Sequence, residues 1–125
     1  MENSTNHRNK EKQLLIKMHT NNKPTMVEVR AEWSGGSHLM DPIIKKIEEE
    51  FQNQLKVVRI DFETHKELLS QFGVESPPAV LIISIGQVVE VIKETLSRKN
   101  LEQLVRDCII RSGTSIEERN PVITE

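Results

Sequence analysis

Residues 33–38 read Trp-Ser-Gly-Gly-Ser-His. A hydroxyl with a histidine four residues on has the parts of a nucleophile and its base, with Ser34 attacking and His38 taking the proton. A working hydrolytic site also needs an acid to orient the imidazole and an oxyanion hole, and nothing nearby supplies the acid in an obvious way. The plainer role for these serines is structural. Ser37 stands where an apolar helical pattern begins, so its hydroxyl is expected to accept a backbone N–H as the helix N-cap. Cys108 is the one cysteine of the chain. A lone thiol forms neither an internal disulfide nor a zinc site. It falls on the apolar stripe of a helix, the place of a small buried hydrophobe. His7, His19, His38 and His65 are scattered with no paired spacing, so neither a metal nor a cofactor is expected.

The elements that must carry this turn follow from hydrophobic period. "NKEKQLLIKMHT" places Leu14, Leu15 and Met18 at helical spacing, predicting a first helix over 9–20 that "NNKP" breaks. "TMVEVRAEW" alternates and predicts a strand over 26–32. After the turn, Leu39, Met40, Ile43, Ile44, Ile47 and Phe51 follow a period of about 3.6 residues, predicting a helix over 37–53 bent at Pro42. Strands are predicted at 56–62, 79–84 and 88–93, the last two as a hairpin. A short helix over 64–72 is stopped by Gly73. A final helix over 98–112 buries Leu101, Leu104, Val105, Cys108 and Ile109 and is ended by Gly113. Early strand–helix alternation implies parallel strands with right-handed crossovers, and the late hairpin adds an antiparallel edge. The expected fold is α/β, a mixed sheet of four to five strands with helices on both faces. A polar segment, 1–8, precedes a domain over 9–112, and 113–125 forms a tail.

Composition narrows the function. The chain has 125 residues, one domain's worth, with 36% hydrophobic and 29% charged residues. A net charge of -2 draws it to neither nucleic acid nor an anionic membrane. Aromatic residues make up 3%, too few for a base-stacking surface. The opening "MENSTNHRNKEK" has no apolar core of a signal peptide, and no apolar run approaches the ~20 residues that span a bilayer. The expected location is the cytoplasm.

"KPTMVEVRAEWSGGSHLMDPI" resembles the strand, active-site turn and kinked helix of thioredoxins. "FGVESPPAVLI" is similar to that family's segment leading to its cis-proline, which makes Pro78 that residue. "IGQVV" and "TLSRKNLEQLV" fit its hairpin and last helix, and Trp33, Pro42, Gly73, Pro78 and Gly86 sit at the family's spacings. The resemblance runs from about residue 23 to 110. It implies the thioredoxin fold, with the family's first strand falling within residues 1–10, where no strand pattern is visible. In thioredoxins the tryptophan is followed by Cys-Gly-Pro-Cys, and here Ser34, Gly35, Gly36 and Ser37 hold those places.

Thiol–disulfide exchange needs a thiolate and a second sulfur, so serines at both positions keep the geometry and lose the chemistry. Gly36 for proline loosens the turn. The resemblance also places Glu28 where the family buries an acid as proton acceptor, and Arg59 where its lysine partner stands. A Glu28–Arg59 contact is expected. It further implies a groove for an extended peptide, formed by Trp33, Gly35, Gly36, Phe62, Pro77, Pro78, Lys93, Glu94 and Thr95. Pro77 has no N–H to give a client strand, Glu94 replaces a glycine, Lys93 an apolar residue and Arg30 an aromatic one. The groove is thereby turned toward a charge-complementary partner. The expected function is a redox-inactive thioredoxin-fold module that binds a protein or extended peptide, as an adaptor or chaperone-like subunit. The alternative is a protein-disulfide reductase whose cysteines were replaced by serine. Two copies could also pair through the N-terminal segment and the Trp33 surface, giving a homodimer.

Overall fold

The computed structural model describes residues 23–84 and 87–112. The expected first helix over 9–20, the family's first strand, Gly86 and the tail from Gly113 lie outside the described residues. The elements are β1 (Thr25–Arg30), α1 (Gly35–Glu50), β2 (Lys56–Asp61), a 3-10 turn (Phe62–Thr64), α2 (Lys66–Ser70), β3 (Ala79–Ser84), β4 (Gln87–Ile92) and α3 (Arg98–Ser112). Among the described residues the sheet has four strands in the order β2-β1-β3-β4. β1 and β2 run parallel across the α1 crossover, and β3 pairs antiparallel with both β1 and β4.

Side chains of a strand alternate between faces, and in the central strand β1 this sorts the core into two. Met26 joins Met40, Ile44 and Ile47 of α1 and Leu101, Val105, Cys108 and Ile109 of α3 on one face. Val27 and Val29 join Phe62, Leu69 of α2, Val74, Leu81 and Ile83 on the other. The helices therefore cover both faces of the mixed sheet. Being central, β1 is buried on both sides, so its polar positions cannot reach water as they would at an edge.

Several boundaries differ from expectation for local reasons. β1 ends at Arg30 rather than 32, because Ser34 N–H bonds to the Ala31 carbonyl at 3.1 Å and closes a turn. The expected helix over 64–72 is two pieces. Asp61 caps Thr64 N–H at 3.2 Å to give the 3-10 turn, and α2 begins only after His65. Gly73 takes φ +79, the left-handed conformation that glycine adopts most readily, and closes the α2 end. Leu39 was expected on the buried stripe of α1 but is 67% exposed, since Met40, Ile44 and Ile47 already fill the contact with the sheet.

Candidate functional site

β1 and β2 end, and β3 begins, at one end of the sheet, because Val29 is registered with both Ile60 and Ala79. The chain leaving β1 there makes the turn Ala31–Ser34 and enters α1. The N-cap is Ser34, correcting the expectation for Ser37. Ser34 keeps extended dihedrals (φ -94, ψ 115), and its Oγ accepts the Ser37 N–H at 3.1 Å. Ser37 is already inside the helix and fully buried, and its Oγ accepts the Ala31 N–H at 3.2 Å. Each hydroxyl oxygen at the two family redox positions thus satisfies a backbone donor that would otherwise be orphaned. His38 is not aimed at Ser34. Its Nε2 lies 2.7 Å from the Glu32 carbonyl, where the N–H donates.

Pro78 closes the turn from the other side. The Pro77–Pro78 peptide bond is cis. A Cβ built on Gly36 would stand 2.7 Å from Pro78 Cδ and 2.9 Å from Cγ. The glycine is therefore required by close approach, and the turn and the proline ring are in direct contact. Trp33 stands out into solvent, 63% exposed, with Nε1 donating to Glu63 Oε2 at 3.2 Å. Gly35 has open space around it. Lys93, Glu94 and Thr95 are exposed just beyond β4, whose Ile92 is registered with Val80, so they lie at the same end of the sheet as Pro78. Pro77 is buried, and Phe62 does not face the groove. It packs in the second core cluster beside Leu69 and Val74, a correction that follows from its place at the start of the 3-10 turn.

Beneath the turn lies a charged cluster. Glu28 shares a strand face with Met26, which directs it into the space between sheet and α1, where it is 1% exposed. Arg59, its register partner on β2, brings Nε to 3.2 Å from Glu28 Oε1. That is the expected contact, but a close approach without a hydrogen bond, because neither Glu28 oxygen receives one. Arg59 Nη2 donates instead to Glu48 of α1 at 2.8 Å. Arg30, two residues after Glu28 on the same face, grips Asp41 of α1 with both prongs, Nε to Oδ1 at 3.0 Å and Nη2 to Oδ2 at 2.8 Å. The Arg30 guanidinium holds the Asp41 carboxyl below the usual carboxylate range. Burial, and then the neighbouring Asp41 carboxylate, push Glu28 up to about 8 from an ordinary 4.5.

Asp41 and Glu63 are the residues that sequence reasoning passed over. Asp41 did leave a signal. Asp41, Lys45 and Glu48 recur at i, i+4 and i+7 and form one polar stripe of α1. Cys108, by contrast, is where it was expected, buried in α3, with its thiol pushed up by that burial.

The family model for thioredoxin matches residues 5–107. The bifunctional thioredoxin reductase/thioredoxin of Mycobacterium leprae (strain TN) is 33% identical over 88 residues, 70% of this chain but only 19% of that protein. The thioredoxin of Bacillus subtilis (strain 168) is 31% identical over 75 residues, 60% of this chain and 72% of its own. The fold matches that of the N21Q mutant thioredoxin from Halobacterium salinarum NRC-1 with a TM-score of 0.67 at 22% identity, over 74% of this chain and 80% of that one. The parallel β1–α1–β2 unit, the serine turn against Pro78 and the match across most of the sequence place the chain in the thioredoxin family.

Proposed function

We propose that this protein is a redox-inactive member of its family that works in the cytoplasm by binding an extended segment of another protein at the serine turn. The observation that carries this reading is the use of both serine oxygens. Ser34 Oγ and Ser37 Oγ are committed to the backbone of the turn itself, and the chain's one thiol, Cys108, is buried in α3. The shape of the turn is kept, and disulfide exchange has no atom to proceed through. What remains exposed is recognition surface: Trp33 fixed by Glu63, Leu39 beside the turn, and the charged loop Lys93–Thr95. An aromatic anchor with a polar surround suits a protein partner.

The relatives named thioredoxin support a second reading, a disulfide reductase in which the serines replace cysteines. Two measurements separate them. Turnover of insulin disulfides by dithiothreitol is expected to show no acceleration by the chain as it stands; catalysis at family-like rates would sink the leading reading. An unfolded, carboxymethylated polypeptide added to 15N-labelled protein is expected to shift the Trp33 indole N–H and the Gly35, Gly36 and Thr95 amides. If none of these signals moves at millimolar probe, the binding role is wrong. A Ser34→Cys/Ser37→Cys double variant that regains full turnover supports the second reading.

A further inference from the structure

The cluster under the turn contains an arrangement that the binding role does not use. Considered as a carboxylate, Glu28 is poorly housed. It is buried, neither oxygen has a hydrogen-bond donor, and the nearest cation, Arg59 Nε at 3.2 Å, does not direct its N–H at it. Considered as a carboxylic acid, it has an acceptor in the Asp41 carboxylate, with which it interacts. Asp41 remains the anion of the pair because Arg30 holds both of its oxygens. The groups facing Glu28 are thus Arg30 from β1, Asp41 from α1 and Arg59 from β2. His38, Lys45 and Glu48 of α1 stand around them, as does Glu32 beyond β1. Arg30, Asp41, Lys45, Glu48 and Arg59 line a cavity of about 400 Å³ that adjoins Asp41, while Glu28 itself is buried behind it.

We propose that Glu28 and Asp41 share one proton, and that its loss loosens the first turns of α1 from the sheet, so that the serine-turn surface responds to pH. Asp41, through Arg30, is the charged tie between that end of α1 and β1, beside the Ser37–Ala31 hydrogen bond and the Met40 packing. With the proton gone, two carboxylates face each other with no donor between them, and relief requires water to enter from the cavity or Asp41 to withdraw. Withdrawal is local, because Pro42 follows immediately and has no N–H to return to the helix ladder. The segment Gly35–Asp41 can therefore shift while Ile44 and Ile47 stay packed. The turn held against Pro78 and the exposed Leu39 belong to that segment. The inference rests on the proposed binding role only for its consequence to a partner; the motion itself is a property of the chain alone.

The test follows amide 15N shifts and hydrogen-exchange protection of residues 36–41, with 101–105 of α3 as internal reference, from pH 5.5 to 9.5. Protection is corrected for the intrinsic pH dependence of exchange. In the unaltered protein the α1 amides are expected to move through one transition near pH 8, with protection falling tenfold or more while α3 holds. Glu28→Gln should abolish the transition. Asp41→Asn should move the shift transition down by a pH unit or more, because Glu28 then ionises more readily, and should remove the fall in protection, because no second carboxylate is left to repel it. His38→Gln should leave it in place. A transition that survives Glu28→Gln, one that vanishes with His38→Gln, or α1 amides that stay flat across the range each overturn the proposal. None of these outcomes bears on whether a polypeptide binds.

Discussion

Replacing Glu28 by glutamine should make the protein more stable at neutral and alkaline pH and leave it nearly unchanged in mild acid. The magnitude follows from the housing of the carboxyl. Burial and the Asp41 carboxylate raise it from 4.5 to about 8. Between those values the unfolded chain has released a proton that the native state still holds, so unfolding releases protons and stability falls as pH rises. The contribution is fully present below about pH 4.5 and is lost as pH climbs through 8. At about 1.4 kcal/mol per pH unit, the loss is about 3 kcal/mol by pH 7 and approaches 5 kcal/mol by pH 9. Two other groups bound the window. Asp41, held down by Arg30, contributes stability that is lost only as pH falls through its low value. Cys108, raised by burial, lowers stability only at higher alkalinity. Glutamine keeps a donor toward Asp41 and cannot ionise. Urea unfolding at pH 5, 7 and 9 is the assay. With slopes of about 1–3 kcal/mol/M, the midpoint of the unaltered protein should drop by one to a few molar across that range, while Glu28→Gln stays level. Equal stability of the unaltered protein at pH 5 and pH 9, or a parallel decline in the variant, would refute the reasoning.

Gly36→Ala puts a methyl into the Pro78 ring, against contacts of 2.7 and 2.9 Å. The strain of overpacking, about 1–3 kcal/mol, should outweigh the better helix propensity of alanine and appear as a lowered urea midpoint. Ser34→Ala removes the N-cap and should cost about 1 kcal/mol. Ser37→Ala leaves the buried Ala31 N–H without an acceptor and should cost about 1–3 kcal/mol, so the buried serine matters at least as much as the cap. A Ser37→Ala variant as stable as the unaltered protein would show that water replaces the hydroxyl.

Much of this fold could be read from period alone, and the exceptions have physical causes. Val27 and Val29 alternate with Glu28 and Arg30, a pattern that ordinarily describes a strand with one wet face. Only the strand order, which places β1 between β2 and β3 under α1, turns those polar positions inward. The Glu28–Arg59 contact was reached through family resemblance, whereas the Arg30–Asp41 clasp depends on how α1 lies across the sheet and left only the stripe of Asp41, Lys45 and Glu48 as a trace. The cap was misplaced because Ser34 and Ser37 are chemically equivalent candidates three residues apart, and the choice depends on which one keeps extended dihedrals. Phe62 was assigned to the groove by resemblance, and the 3-10 turn that carries it into the core has no hydrophobic period to announce it.

A buried acid that costs stability at neutral pH has to be explained in a chain whose turn carries no thiol to receive or supply its proton. If Glu28 were only a leftover, nothing would require a second acid beside it, and a lone acid over Arg59 would be less costly than a pair. Instead Asp41 is present, and Arg30, where the resemblance leads one to expect an aromatic residue, neutralises it with two short hydrogen bonds. The two residues answer each other: Arg30 without Asp41 would keep only the exposed Glu32 as a partner, and Asp41 without Arg30 would compete with Glu28 for the same proton. Together they convert a contact between β1 and α1 from apolar packing into a charged clasp that tightens or loosens with one proton. That clasp sits directly under a turn that carries no thiol and whose shape is held by Ser34, Ser37 and Pro78. The sulfur-free turn and the proton-bearing floor are best understood as one device, in which the ionisation that would serve a thiolate instead acts on the position of the helix.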